Sequence, residues 1–132
     1  MKLILHVDGG ARGNPGPAAI GVVISDPGGE VIDELSERIG LATNNVAEYQ
    51  AVLRGLQRAR ALGAQEVELV GDSELVARQL DGAYKVKHPA IKPLHQEAMS
   101  ALQAFKRWRI RTVPRAENAG ADALVNAALD AV

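Results

Sequence analysis

The chain opens on two apolar runs, LILHV and AAIGVVIS, separated by a glycine- and proline-rich stretch, DGGARGNPGP. In the first run Leu3, Leu5 and Val7 alternate with Ile4 and His6, and both sets are mostly apolar. That pattern predicts a strand covered on both faces, with Asp8 standing where the run ends. The second run predicts another strand, in which Gly21 is a weak point or a place of close approach. Asp26-Pro27-Gly28-Gly29 is a hairpin turn signal. GEVIDELSERIG after it alternates weakly and carries enough charge to suit an edge strand. Three strands joined by short turns make an antiparallel meander.

The period then changes. TNNVAEYQAVLRGLQRARALG predicts a helix capped by Thr43 or Asn44 and ended by Gly63. The stripe through positions 48, 51, 52, 55, 56, 59 and 62 is small or apolar except for Glu48. Glu48 has two readings: it closes a capping box with Asn45 as the cap, or it points from a core-facing stripe into a site. EVELVGD predicts a fourth strand, again ending on a carboxylate, Asp72. Ser73 then caps a short helix, SELVARQLDG, stopped at Gly82. A helix between the meander and the fourth strand supplies the crossover that a parallel pair requires. Asp8 and Asp72 would then emerge side by side at the carboxyl ends, the edge of an open α/β sheet where ligands bind.

AYKVKHPAIKP is a polar connector carrying Tyr84, Lys85, Lys87 and Lys92. PLHQEAMSALQAF predicts a second long helix with Leu94, Ala98, Ala101, Leu102 and Phe105 on one side. RWRIRTVP predicts a fifth strand, in which Arg107, Arg109 and Arg111 alternate with Trp108 and Ile110. RAEN reads as a loop, and GADALVNAALDAV as a terminal helix with Asp122 in its first turn, where an acid also complements the helix dipole.

Composition bounds the function. A length of 132 residues fits one domain, residues 1–132, with a real core. Hydrophobic residues at 47% and charged residues at 23% argue against disorder. Fifteen basic against sixteen acidic residues leave a net charge of -1, so any nucleic-acid site must be a local patch. The absence of cysteine excludes disulfide and thiolate chemistry. No apolar run approaches the ~20 residues of a membrane span, and the N-terminus carries no signal-peptide core. A cytoplasmic monomer with no membrane partner is the expectation.

Asp8, Glu48, Asp72 and Asp122 each have a bland explanation, yet together they fall at strand ends and helix starts on one rim of one sheet. Clustered carboxylates repel and persist as anions mainly when a cation neutralises them. The histidines at 6, 88 and 95 show no ligand spacing, so the available ligands are oxygens, which suit Mg²⁺ or Mn²⁺ over zinc. Two such ions ~3.5–4 Å apart are common machinery for phosphodiester cleavage. The glycines after the first strand raise a dinucleotide site as a rival, but that fingerprint must open a helix. Here Ala18 to Ile24 predicts a strand, and the spacing of Gly10, Gly13 and Gly16 is wrong.

VDGGARGNPGPAAIGVVI, ATNNVAEYQAVLRGL, VGDSELVARQLDGAYKVK and VPRAENAGADALVNAAL resemble, in order, the successive signatures of type 1 ribonuclease H from about Leu3 to Leu129. The resemblance implies a ribonuclease H-like α/β fold: a mixed five-stranded sheet, meander plus parallel strands, with helices on both faces. It implies endonucleolytic hydrolysis of the RNA strand of RNA–DNA hybrids, leaving 5′-phosphate ends, with two Mg²⁺ ions (or Mn²⁺) bound with substrate. Asp8, Glu48, Asp72 and Asp122 would be the metal-binding carboxylates. Backbone at Gly9 and Gly10, with Asn14, Thr43, Asn44 and Asn45, would contact the minor groove or hold a phosphate, where the 2′-OH distinguishes RNA.

The chain departs from the family pattern in several places. It lacks the long basic, tryptophan-rich protrusion of some members; Tyr84, Lys85, Lys87 and Lys92 occupy that region and are its candidate substrate contacts. Leu41 stands where some members carry an arginine near the phosphate pocket, and Glu74 replaces a glutamine near the substrate. No histidine follows His95, so the family's mobile histidine is absent, and Arg115 and Glu117 are two candidates for its product-release role. The strand-five arginines, with Lys106 and Arg115, read better as a solvated, aggregation-blocking edge than as a nucleic-acid face. His6 is expected to pack or hydrogen-bond within the sheet. Two rival functions remain at this point. One is a module that holds hybrids without cleaving them, which four facing anions argue against; the other is a related nuclease also cleaving double-stranded RNA.

Overall fold

Residues 1–131 are described by a computed structural model. The alternation of the first run produces β1 (Lys2–Ala11), which pairs antiparallel with β2 (Gly16–Ser25) from Ile4↔Ser25 to Ala11↔Ala18. β3 (Val31–Ala42) completes the meander on the far side of β2. The chain then crosses over through α1 (Asn44–Ala61) to β4 (Glu66–Gly71), parallel to β1 from Lys2↔Glu66 to His6↔Val70. Two helices, α2 (Glu74–Leu80) and α3 (Lys92–Leu102), lead to β5 (Arg107–Thr112), parallel to β4. A 3-10 turn (Arg115–Asn118) opens into α4 (Ala119–Asp130). The strand order is β3-β2-β1-β4-β5, so the sheet is mixed and five-stranded, as the sequence predicts, with β5 at an edge.

Leu3, Leu5 and Val7 are buried with Val52, Leu56 and Leu69, where α1 lies on the sheet. α4 covers the opposite face, mainly over β2 and β3. The expectation that β1 is covered on both faces therefore needs correction: Ile4, His6 and Asp8 are only half-buried, because one helix cannot span that whole side. β1 also does not end at Asp8. Its parallel ladder to β4 ends at His6↔Val70, while the antiparallel ladder to β2 continues through Asp8↔Gly21 to Ala11. Asp8 thus lies in a strand that has lost one neighbour, which opens a cleft beside it.

Helix α1 is capped by Thr43, whose side chain accepts from Val46 N at 3.3 Å. Asn45 is consequently inside the helix, and the capping-box reading of Asn45 with Glu48 is overturned. The buried face includes Tyr49 and Leu53 beyond the predicted stripe, whereas Leu62 at its end is exposed. Ser73 caps α2, accepting from Val76 N at 3.2 Å, as expected. Phe105 lies past the end of α3 yet is buried in the core.

Candidate active site

Two missing side chains bring the acids together. A Cβ on Gly9 would lie 2.2 Å from Ala47 O and 2.6 Å from Glu48 N. Only glycine lets the first turn of α1 sit this close to β1, and that contact carries Glu48 next to Asp8. On the other face, a Cβ on Gly21, the cross-strand partner of Asp8, would lie 2.2 Å from Ala121 O. The start of α4, with Asp122 after Ala121, seats there. Asn118 holds the same junction: its buried amide donates from Nδ2 to Val7 O at 2.9 Å, one peptide before Asp8. Asp72 follows β4 directly, two register positions beyond His6↔Val70.

Asp8, Glu48, Asp72 and Asp122 all line one open cleft of about 530 Å³, together with Asn44 and Arg115. Burial pushes the Asp8 carboxyl up to about 7, helped by the charges of Asp72 and Asp122, a hydrogen bond with Asp122, and the charge of Glu48. Burial also pushes Glu48 up to about 7; the Ser73 hydroxyl pulls it down and Asp72 adds to the rise. Glu48 Oε2 is buried without a hydrogen-bond partner. An orphaned carboxylate oxygen among mutually repelling acids is costly, and it is what a hard divalent cation would satisfy. The donor set fits such an ion, although among the described residues no three acids or histidines are preassembled around one point.

A second cleft, about 350 Å³, is lined by Asn14, Thr43, Asn44, Asn45, His88 and Ile91. Asn44 lines both clefts and joins them. Its Oδ1 accepts from Ala11 N at 2.9 Å, and Asn14 Oδ1 accepts from Asn44 N at 3.0 Å. Thr43 Oγ1 accepts from Val46 N. With these acceptors taken by backbone amides, the groups left facing a ligand are donors: two amide NH₂ groups and a hydroxyl.

The remaining predicted residues divide. Gly9 and Gly10 line the acidic cleft through their backbone, and Gly9 is itself buried under α1. Arg115 lines it too, with Nη2 3.3 Å from Asp122 Oδ1, whereas Glu117 is exposed and lines neither cleft. Glu74 pairs with Arg78 at 3.6 Å on the outside of α2. Tyr84, Lys85 and Lys87 are exposed on the connector between α2 and α3, outside both clefts. Leu41 is 81% exposed. The β5 arginines face β4: Arg109 meets Glu68 at 2.8 Å, Arg111 meets Glu68 at 3.3 Å, and Arg107 meets Glu66 at 3.7 Å. They neutralise a buried glutamate, a role beyond the solvated edge that sequence suggested. His6, half-buried beside them, has its imidazole pushed down by burial and by Arg111, against Glu68. Sequence reasoning passed over His88, Asn118 and Glu68. A signal existed only for Glu68, whose parity within β4 matches that of the arginines in β5.

A family model described as reverse transcriptase-like matches residues 6–128. The bifunctional protein Rv2228c of Mycobacterium tuberculosis is 46% identical over 132 residues, 99% of this chain but 36% of that protein. Ribonuclease HI of Halobacterium salinarum is 46% identical over 125 residues, covering 95% of this chain and 63% of its own length. The chain thus spans about a third of the mycobacterial relatives it matches and under two thirds of the archaeal one. Among solved structures, RNase H1 from Halobacterium salinarum superposes with a TM-score of 0.97 at 44% identity, covering 98% of each chain. LC11-RNase H1 in complex with RNA/DNA hybrid superposes at 0.93 with 45% identity, covering 97% of this chain and 96% of its own. Sheet order, signature order and these relatives agree, and the chain belongs to the type 1 ribonuclease H family.

Proposed function

We propose that the protein hydrolyses the RNA strand of RNA–DNA hybrids endonucleolytically, leaving 5′-phosphate ends, with divalent metal ions held by Asp8, Glu48, Asp72 and Asp122. The observation that carries this reading is the joining of two unlike clefts through Asn44: one lined by four carboxylates, the other by uncharged donors. A phosphodiester chain fits both, with one phosphate in the donor cleft and another presented to the acids. Mg²⁺, or Mn²⁺, two ions with substrate, would supply charge neutralisation at the reacting phosphate and a nucleophile at neutral pH.

The chain's own residues do the rest. Asn14, Thr43, Asn44 and the backbone at Gly9 and Gly10 bind and orient the duplex. Glu48, fixed by Ser73, keeps one oxygen unspent for a ligand. Arg115 is the cation beside Asp122 and is better placed than Glu117 to loosen a product phosphate. A module that only held hybrids would gain nothing from four acids facing phosphate, so hydrolysis is the stronger reading. Incubation of labelled RNA–DNA, RNA–RNA and DNA–DNA duplexes with Mg²⁺ or EDTA tests it. Cleavage of the hybrid's RNA strand in Mg²⁺ and none in EDTA is expected. An intact hybrid in Mg²⁺ and in Mn²⁺ would overturn the reading.

A further inference from the structure

We infer that His88 is a further substrate-binding residue, holding a phosphate of the duplex backbone through Nε2–H as an uncharged donor. The inference rests on the function proposed above and extends it to a connector residue outside the family signatures.

His88 lies far in sequence from the other polar residues of the donor cleft, yet it shares that cleft with Asn14, Thr43, Asn44 and Asn45. The connector is pinned there. Ile91 is buried at 5% exposure, and His88 O accepts from both Ile91 N and Lys92 N at 3.0 Å. The imidazole is also fixed: Nδ1 accepts from Ala90 N at 3.1 Å. A ring nitrogen that accepts carries no proton, so the proton of the neutral ring is on Nε2, the end away from its own loop. Nε2 has no protein partner among the described residues. The ring therefore repeats what Asn14, Asn44 and Thr43 do, spending its acceptor on a backbone amide and leaving a donor.

No lysine, arginine or carboxylate lines this cleft. Its ligand must be held by dipoles, and only donors are left to hold it. That suits a singly charged, diffusely charged phosphodiester oxygen and not a cation. Because the donor is fixed before binding, little side-chain entropy is lost on contact. An uncharged donor also releases no counterion. It raises affinity without steepening the salt dependence, unlike a lysine on the same backbone.

The test uses the full chain in EDTA at pH 8, with hybrid binding read by fluorescence anisotropy. His88→Ala should weaken binding about five- to tenfold, as for one hydrogen bond to an anion at a half-open site. The slope of log affinity against log salt should stay unchanged, and His88→Gln, which keeps an N–H donor, should recover part of the loss. A walk of single methylphosphonates along each strand locates the phosphate. At one position wild type should lose affinity while His88→Ala loses nothing more. Wild-type affinity in His88→Ala, a loss additive with every methylphosphonate, or a flattened salt slope would each overturn the inference. A wild-type protein that binds no hybrid at all would instead sink the functional reading, before any substitution is made.

Discussion

Asp8 faces Gly21 across the β1–β2 ladder, and the side chain missing from Gly21 is the reason Asp122 can reach Asp8. Gly9, the next residue on β1, does the same for Glu48 on the other face. One acid in the sheet is thus approached from both sides by helix starts, each admitted by one glycine. Gly10 has no such duty, since a Cβ there would meet only Val125 Cγ1 at 3.7 Å.

Alanine at these three positions should separate the roles. Gly21→Ala puts a methyl 2.2 Å from Ala121 O and 2.9 Å from Leu124 Cβ, so α4 must move outward. Overpacking of this kind costs about 1–3 kcal/mol. Gly9→Ala forces α1, the central core helix, and should cost at least as much. Both variants should lose most hydrolytic activity, because the carboxylates separate, while Gly10→Ala keeps its melting temperature. Thermal melts with hybrid-cleavage rates check this. Near-wild-type rates for both Gly9→Ala and Gly21→Ala would show that the site tolerates the displacement.

What could be read in the chain followed from local period and parity. Asp8 and Asp72 share a face with His6 and Val70, so a parallel pairing had to bring them to one edge. Glu48 was visible as the odd member of an apolar stripe. The extension of β1 to Ala11 was not visible, because it depends on β2 outlasting β4 as a partner. His88 and Asn118 reach their places through tertiary packing of a connector and a 3-10 turn, which carry no period. The Asn45 cap failed for a smaller reason: Thr43, two residues earlier, supplies a side-chain acceptor at the helix boundary and takes the role.

Metal-free stability should run against the usual trend for acids. Unfolded, Asp8 and Glu48 titrate near 3.8 and 4.5; folded, both are raised to about 7. Between those values the folded protein binds more protons than the unfolded chain, so stability falls as pH rises from about 4 to about 7. His6, with its imidazole pushed down, works in the opposite sense below its ordinary value. The difference between Asp8→Asn and wild type isolates the acid. In EDTA, Asp8→Asn should gain melting temperature relative to wild type as pH rises through this window. It should also show no hydrolysis, and it should gain less than wild type from added Mg²⁺. A pH-independent difference would contradict the placement of Asp8 among the other acids.

If the duplex is held through Asn44 and the backbone after Asp8, the 2′-OH of the RNA strand is the feature read there. A hybrid whose RNA strand carries a short internal run of deoxynucleotides should resist cleavage within that run and be cut on either side. Replacing the DNA strand by RNA should slow cleavage strongly. Product mapping on such chimeras decides it, and equal cutting inside the run would remove any role for the 2′-OH.

The last prediction concerns how a chain of net charge -1 grips a polyanion. Two basic groups are on offer. The β5 arginines are engaged with β4, where Glu68, only 6% exposed, meets both Arg109 and Arg111. Removing both leaves a carboxylate buried without its partners, a change that destabilises by about 2 kcal/mol or more. Lys85 and Lys87 have no ion-pair partner among the described residues, and they stand exposed on the connector that also carries His88. They are free to neutralise phosphates, each adding roughly one unit or slightly less to the slope of log affinity against log salt. Lys85/Lys87→Ala should therefore raise KM, flatten its salt dependence and leave kcat nearly unchanged, as loss of uniform binding does. Arg109/Arg111→Ala should lower the melting temperature and leave KM and its salt slope alone. Steady-state kinetics over a salt series, with a thermal melt of each variant, separates the two. A larger KM change in the arginine variant would put the substrate on the β5 side of the sheet.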